Sequence, residues 1–233
     1  MNGKQTVLIV GAGSGLSASL ARLFAREGMR VALAARDTAK LAGLVKETGA
    51  LAIVCDATQQ PQVEVLFAAV DENLGAPDLV VFNAGYRARG PLVSLESAEV
   101  EKTIAASAFA GFLVGQAAAK RMLARGTGAI FFTGASASVK GYAESAPFAM
   151  GKCALRGLAQ SMARELAPKG IHVAHFVIDG AIARGADDPR AKERGADGLL
   201  LPDEIAKTYL SVYRQHRSAW TWEVELRPWV ERF

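Results

Sequence analysis

Cysteine is scarce in this chain, because its 233 residues include only Cys55 and Cys153. Each of the two lies within an apolar stretch. Two thiols cannot build the disulfide framework that stabilises small secreted domains. The sequence therefore predicts two reduced, packed thiols in a cytoplasmic protein.

Long apolar runs are also missing. No run approaches the roughly 18 residues that a membrane-spanning helix needs. The first apolar run, residues 6–10, is followed directly by glycines. We expect neither a signal peptide nor a membrane partner.

Runs of basic residues are missing too. Lys and Arg number 27 against 23 Asp and Glu, a net charge of +4, and the two signs are interspersed. Proteins that bind nucleic acids usually concentrate basic residues in one patch, so we expect no nucleic-acid partner. Apolar residues make up 51% of the chain and charged residues 21%, which is the composition of a folded globular protein.

Short apolar runs alternate with longer helical patterns along the whole chain. Near-continuous apolar runs are typical of strands covered on both faces, and the alternation indicates right-handed crossovers between parallel strands. We predict an α/β fold in which residues 1–233 form a single domain with three layers and a doubly wound parallel sheet of about seven strands. The predicted strands are 6–10, 30–35, 50–54, 78–82, 128–133, 172–178 and one within 220–226. The predicted helices are 16–27, 38–47, 60–73, 98–124, 148–167 and one starting near 202.

Three segments keep more than one interpretation. Segment 98–124 is either two helices or one bent helix, and its small, apolar middle is either buried or part of a subunit interface. The Gly-rich, charged segment 181–201 is either a lid-like segment over a ligand or disordered surface. The C-terminal strand and tail, 220–233, contain all three tryptophans, which fill a subunit contact, close a cleft or pack in the core.

A glycine-rich loop follows the first predicted strand and opens the first predicted helix. Glycines there let backbone N–H groups approach a phosphate, and a helix N-terminus favours negative charge. Leu16 occupies the third glycine position of the commonest dinucleotide fingerprint, so that spacing fails. The residues of the predicted phosphate loop are Gly11, Gly13, Ser14, Gly15 and Leu16.

The glycine spacing and later motifs resemble the short-chain dehydrogenase/reductase family over residues 5–185. Gly11 and Gly15 match the first two glycines of its T-G-x-x-x-G-x-G loop, with Ser17 at the last. The resemblance implies a Rossmann-type fold that binds a nicotinamide dinucleotide. Further matches are Asp56 and Ala57 near the adenine, the N-A-G motif Asn83, Ala84 and Gly85, and the active-site helix with Gly151 and Lys152.

The end of the second strand bears on the choice between NADP and NAD. A carboxylate there would hydrogen-bond the 2′-hydroxyl of NAD, but the position is Ala35, followed by Arg36. An arginine fork matches a 2′-phosphate. We therefore expect NADP, with NAD the alternative. In the competing interpretation Arg36 is solvated and Asp37 caps the next helix.

The resemblance implies a catalytic Asn–Ser–Tyr–Lys group, and here only its lysine is present. Lys152 is the one predicted catalytic residue, and it is also expected to bind the ribose. The resemblance places the tyrosine at Phe148, the serine at Ala135 and the asparagine at Ser107. Phe148 has no proton to give, and loss of a proton donor typically lowers a rate by roughly 10²–10⁴-fold.

Other residues near the expected pocket are candidate replacements for the tyrosine or candidate contacts of the nicotinamide. Tyr142 and Glu144 are candidate proton donors, whereas Ser136 is expected to point away because extended residues alternate. His175 is expected to be a packed core histidine. On the nicotinamide side we expect Gly180 and Ile182, with Arg184 replacing the family's threonine.

Two functions remain open. The first is an NADP-dependent oxidoreductase acting on an unknown carbonyl or alcohol, using water or a substitute residue for the proton, or a substrate that carries its own acid. The second is a catalytically silent NADP(H)-binding sensor or partner subunit. We expect no metal, and the resemblance implies a homodimer or homotetramer.

Overall fold

The computed structural model describes residues 4–185, 187–195 and 197–231. Seven parallel strands form one sheet in the order β3-β2-β1-β4-β5-β6-β7. The strands are β1 Thr6–Val10, β2 Arg30–Ala35, β3 Leu51–Val54, β4 Leu79–Phe82, β5 Gly128–Thr133, β6 Ile171–Ile178 and β7 Glu223–Leu226. The α/β prediction of a single-domain doubly wound sheet is confirmed, and six strands end within one residue of their predicted limits.

Helices cover both faces of the sheet. They are α1 Leu16–Arg26, α2 Ala42–Thr48, α3 Gln60–Leu74, α4 Ser97–Ile104, α5 Ala110–Arg125, α6 Ala146–Leu166, α7 Arg190–Arg194 and α8 Pro202–Tyr213. One core cluster packs α3, α5 and α6 against the sheet, and the other packs α1, α2 and α8. Neighbouring residues of β1 serve different clusters, since Leu8 lies in the first and Ile9 in the second. This is why the strands read as continuous apolar runs.

Segment 98–124 is two α-helices joined by a π-helical turn, Ala105–Phe109. A π turn carries an extra residue within a helix and is frequent at functional sites. Close packing explains the small residues, because a Cβ on Gly111 would clash with Leu155 of α6. Phe109 and Phe112 nevertheless stay half exposed, so the segment has one buried side and one open side.

The last strand begins three residues later than the predicted 220–226. Trp220 stacks on His172 with ring centroids 4.8 Å apart, and Trp222 packs against the first core cluster. Core packing is therefore confirmed for Trp222, whereas Trp229 is 81% exposed.

Segment 181–201 has structure of its own in the residues that are described. It contains α7 and a bridge between Ile182 and Leu200. The Asp188 carboxylate accepts hydrogen bonds from the Arg184 N–H and from Arg190. Ala186 and Ala196, which fall in this segment, lie outside the described residues.

The strand order reverses between β1 and β4, because the chain moves outward to β2 and β3 before crossing to β4. Open parallel sheets bind ligands at such a switch point, beyond the carboxyl ends of the strands. No helix in the described part of the chain is long and apolar enough to span a bilayer.

Candidate active-site cleft

The turn from β1 into α1 lies against the end of β4. Gly11 has φ +86°, and a Cβ there would clash with the backbone of Ala84. The Ser17 hydroxyl donates to the Gly11 carbonyl at 3.1 Å and accepts from Asn83 Nδ2 at 2.7 Å. Ser17 therefore ties the glycine loop to the N-A-G segment, a role that its small size alone did not suggest.

The remaining residues of the predicted phosphate loop continue from Ala12 into α1. Positions Gly13 and Gly15 have open space where a Cβ would point. Leu16 is buried and starts α1, so the loop ends at a helix N-terminus. None of Gly13, Ser14, Gly15 and Leu16 is on the wall of the clefts described next.

A first cleft of about 590 Å³ lies over the ends of β1, β2 and β4. Arg36 lines it together with Lys40, which the sequence did not single out. Asp37 accepts from the Ala39 N–H at 3.1 Å and pairs with Lys40 at 3.1 Å, and the Lys40 hydrogen bond lowers the pKa of Asp37. The other predicted cofactor residues on its wall are Gly11, Asp56, Ala57, Asn83, Ala84 and Gly85.

A second cleft of about 620 Å³ lies over the ends of β4, β5 and β6. Lys152, Gly180 and Ile182 line it. Residues 83–86 belong to the walls of both clefts, so the two adjoin at the switch point and are together called the crevice. The predicted residues Arg36 and Gly180 stand in its two halves.

Lys152 is the buried cation of the second cleft. Its side chain comes from α6, and Nζ donates to the Thr133 carbonyl at the end of β5 at 2.8 Å. The residue is only 6% exposed, and burial lowers the pKa of Lys152 to about 8. A lysine with this pKa is still mostly charged at neutral pH and loses its proton in mildly alkaline solution.

Known proteins resemble this chain over most of its length. A family model for short chain dehydrogenases matches residues 5–186. The chain belongs to the short-chain dehydrogenase/reductase family. It is an oxidoreductase of that type by descent, and the resemblance seen in its motifs is confirmed.

Individual members of the family show how far the similarity extends. The 3-oxoacyl-(acyl-carrier-protein) reductase MabA of Mycobacterium bovis is 30% identical over 79% of this chain and 73% of its own. A short-chain dehydrogenase from Rhodopseudomonas palustris is 38% identical, with TM-score 0.83, over 97% of this chain and 99% of its own. A metagenomic short-chain oxidoreductase solved with NADP is 27% identical, with TM-score 0.83, over 97% and 98%.

The positions that the family resemblance assigned to catalysis lie around Lys152. Phe148 stands one helical turn earlier, with its ring centre 5.9 Å from Lys152 Nζ. Ala135 also lines the second cleft, and its N–H donates to Ser138 Oγ at 3.1 Å. Ser107 lies in the π turn behind Gly85, fully buried, and within the described residues its hydroxyl has no hydrogen-bond partner.

The residues considered as replacement proton donors differ in their position relative to the second cleft. Tyr142 lines the second cleft, whereas Glu144 does not. The prediction that Ser136 points away from the pocket assumed that residues 135–136 are extended, and this assumption is wrong. Ser136 begins a 3₁₀ turn, Ser136–Ser138, so strand alternation does not apply, and Ser136 is on the cleft wall.

His175 is a core residue, as expected. It is fully buried in β6, and Nδ1 lies 3.0 Å from the Glu223 carboxylate. Burial lowers the pKa of His175 to about 4, so the ring is neutral at neutral pH. Glu223 also binds Arg156 at 2.6 Å, which completes a partly buried link between α6, β6 and β7.

The burial of Lys152 gives a prediction about stability. The folded-state pKa of about 8 lies below the usual 10.5, so at neutral pH the fold holds a charge that burial disfavours. Lys152→Met is expected to raise the free energy of unfolding by roughly 1–3 kcal/mol at neutral pH, after allowing for the lost hydrogen bond. Urea unfolding measures this difference.

The pH dependence has a definite sign. Between pH 8 and 10.5 the unfolded chain holds more protons than the folded one, so wild type gains stability and the advantage of Lys152→Met shrinks. The exposed Lys46→Met serves as the control and should change little at any pH. A Lys152→Met variant less stable at neutral pH, or a difference independent of pH, contradicts the burial argument.

Proposed function

We propose that this protein is an oxidoreductase that binds NADP(H) in the crevice and acts on a carbonyl or alcohol substrate. The observation that carries the proposal is that the cleft lined by Arg36 and the cleft lined by Lys152 adjoin at the switch point. The residues fit a dinucleotide, because the glycine loop has open space at Gly13 and Gly15 and leads into the N-terminus of α1.

The first cleft favours NADP over NAD. Arg36, unpaired among the described residues, offers a cation to a 2′-phosphate, and the residue at the end of β2 is Ala35 rather than a carboxylate. Asp37 is paired with Lys40 and serves the local turn. The NADP in the related metagenomic oxidoreductase agrees with this choice.

We assign the second cleft to the nicotinamide and the substrate. The dinucleotide, when bound, supplies the hydride for reduction. Gly180 and Ile182 would flank the nicotinamide, with segment 181–201 as a lid over it, and Lys152 Nζ would hold the ribose. Phe148 gives no proton and the Ala135 side chain donates no hydrogen bond, so the proton comes from water or from Tyr142, which lines the same cleft.

Cofactor choice can be tested at Arg36. Arg36→Gln is expected to weaken NADPH binding by roughly 10- to 100-fold, because a charge-assisted contact with the 2′-phosphate is lost. NADH binding should stay unchanged. Calorimetric titration of both dinucleotides measures this, with the remote exposed Arg26→Gln as a charge-matched control. Equal affinity of wild type for NADPH and NADH argues against the assignment.

The altered catalytic positions can be tested by restoring them. Phe148→Tyr combined with Ala135→Ser is expected to raise carbonyl reduction by roughly 10²–10⁴-fold, because it supplies a proton donor beside Lys152. The rate of NADPH consumption with a panel of carbonyl compounds is the readout. The single variant Phe148→Leu, which keeps Ala135, is the control. A double variant that binds NADPH but stays as inert as the parent instead favours a silent NADP(H)-binding sensor or partner subunit.

We also propose that the protein forms a homodimer or homotetramer through the open side of α4 to α6. Leu92, Phe109 and Met150 line an apolar groove there, and each is at least half exposed. Burying such a patch stabilises an assembly. Sedimentation of the wild type is expected to give two or four times the monomer mass of 24.6 kDa. The double variant Phe109→Asp with Met150→Asp should sediment as a monomer. A monomeric wild type contradicts the proposal.

A further inference from the structure

We propose that the substrate carries a negatively charged group, a carboxylate or a phosphate, and that Arg87 and Arg89 bind it in the second cleft. This proposal deepens the proposed function, since it assumes that the second cleft receives the substrate. It rests on the charges of the cleft, on the support of Arg87 and on the fixed ends of its loop.

The charges that line the second cleft do not balance. Its two carboxylates are already paired, Asp179 with Lys140 at 3.6 Å and Glu231 with Arg194 at 3.4 Å. Within the described residues, Arg87 and Arg89 have no carboxylate within ion-pair distance. Both side chains are exposed on the cleft wall, so a ligand can reach them.

Arg87 rests on the ring of Phe148. The guanidinium carbon lies 4.7 Å from the ring centre, which is the distance of a cation–π contact. A guanidinium held beside a ring still has N–H groups that can donate to a carboxylate or phosphate. Phe148 can therefore position Arg87 although it lacks the hydroxyl group of a tyrosine.

The loop that carries both arginines is fixed at its two ends. At the start, the Tyr86 hydroxyl donates to Glu99 at 2.5 Å and Lys102 Nζ lies 4.1 Å from the centre of the Tyr86 ring. At the end, the Gly90 N–H donates to the Glu144 carbonyl at 3.0 Å. A loop already held in place loses less entropy when it binds a ligand.

Electrostatics within the loop agree with an anionic ligand. Partial desolvation lowers the pKa of Arg87, and the like charge of Arg89 lowers it further. Two neighbouring cations with no counter-ion gain from an anion placed between them.

The phosphates of the dinucleotide do not account for these arginines. Arg36, assigned to the 2′-phosphate, lines the first cleft, and neither Arg87 nor Arg89 does. Gly11, the first glycine of the loop assigned to the pyrophosphate, also lines the first cleft and not the second. The second cleft therefore has cations to spare after the cofactor is placed.

The test compares binding of charged and neutral carbonyl compounds to the protein saturated with NADP⁺, where no reduction can occur. The probes are oxo acids with their methyl esters, and phosphorylated carbonyl compounds with their unphosphorylated parents. Wild type is expected to bind the charged member of a pair roughly 10- to 100-fold more tightly. The advantage should fall as salt is raised.

Variants separate a built site from general attraction. Arg87→Gln and Arg89→Gln should each reduce the preference, and together they should abolish it, whereas the remote Arg26→Gln should leave it intact. Arg87→Lys should keep only part of the preference for the charged probe, because it keeps the positive charge but loses the planar guanidinium. Phe148→Leu removes the ring under Arg87 without changing charge and should weaken the preference several-fold.

Equal binding of charged and neutral members across the panel overturns the proposal, as does a preference that survives in the double arginine variant. Titration of NADP⁺ alone keeps the two hypotheses apart. If NADP⁺ binds but charge preference is absent, only the substrate class is wrong. If NADP⁺ does not bind, the proposed function fails, and the probes are then titrated against the free protein with the same criteria.

Discussion

The close approach of Gly11 to Ala84 is the contact on which the rest of the crevice depends. A positive φ at Gly11 lets the β1–α1 turn lie directly on the backbone that follows β4. Ser17 then joins the two segments through Asn83 and the Gly11 carbonyl. Because this junction sits at the switch point of the sheet, it separates the half that contains Arg36 from the half that contains Lys152.

The two halves differ in charge. The first half is balanced, with three cations and three carboxylates on its wall. The second half has an excess of positive charge, because four cations there face only Asp179 and Glu231 among the described residues. Lys152 is buried against the Thr133 carbonyl, and Arg87 lies on an aromatic ring. Cations held away from bulk water attract anions more strongly than solvated ones. An acidic substrate in the second half would balance this excess. The net charge of +4 has a local meaning here that the composition alone could not give.

The fold was largely predictable because its strands are buried on both faces, which leaves a continuous apolar signal. The site was predictable where it depends on a local motif, as at Gly11, Arg36 and Lys152. Two other features were not predictable: the 3₁₀ turn that contains Ser136, and the contact of Arg87 with Phe148. The turn is a short irregular segment without periodicity, and the contact joins a loop residue to a helix residue far away in the sequence.

The most direct test of this account is a crystal structure of the protein with NADPH. The account predicts the 2′-phosphate beside Arg36 and Lys40, the pyrophosphate at the glycine loop, and the nicotinamide in the second cleft near Lys152 and Gly180. The ring of Phe148 should remain under Arg87, with the space beside the nicotinamide open to a substrate. A dinucleotide bound elsewhere, or one whose nicotinamide end lies outside the second cleft, would contradict it.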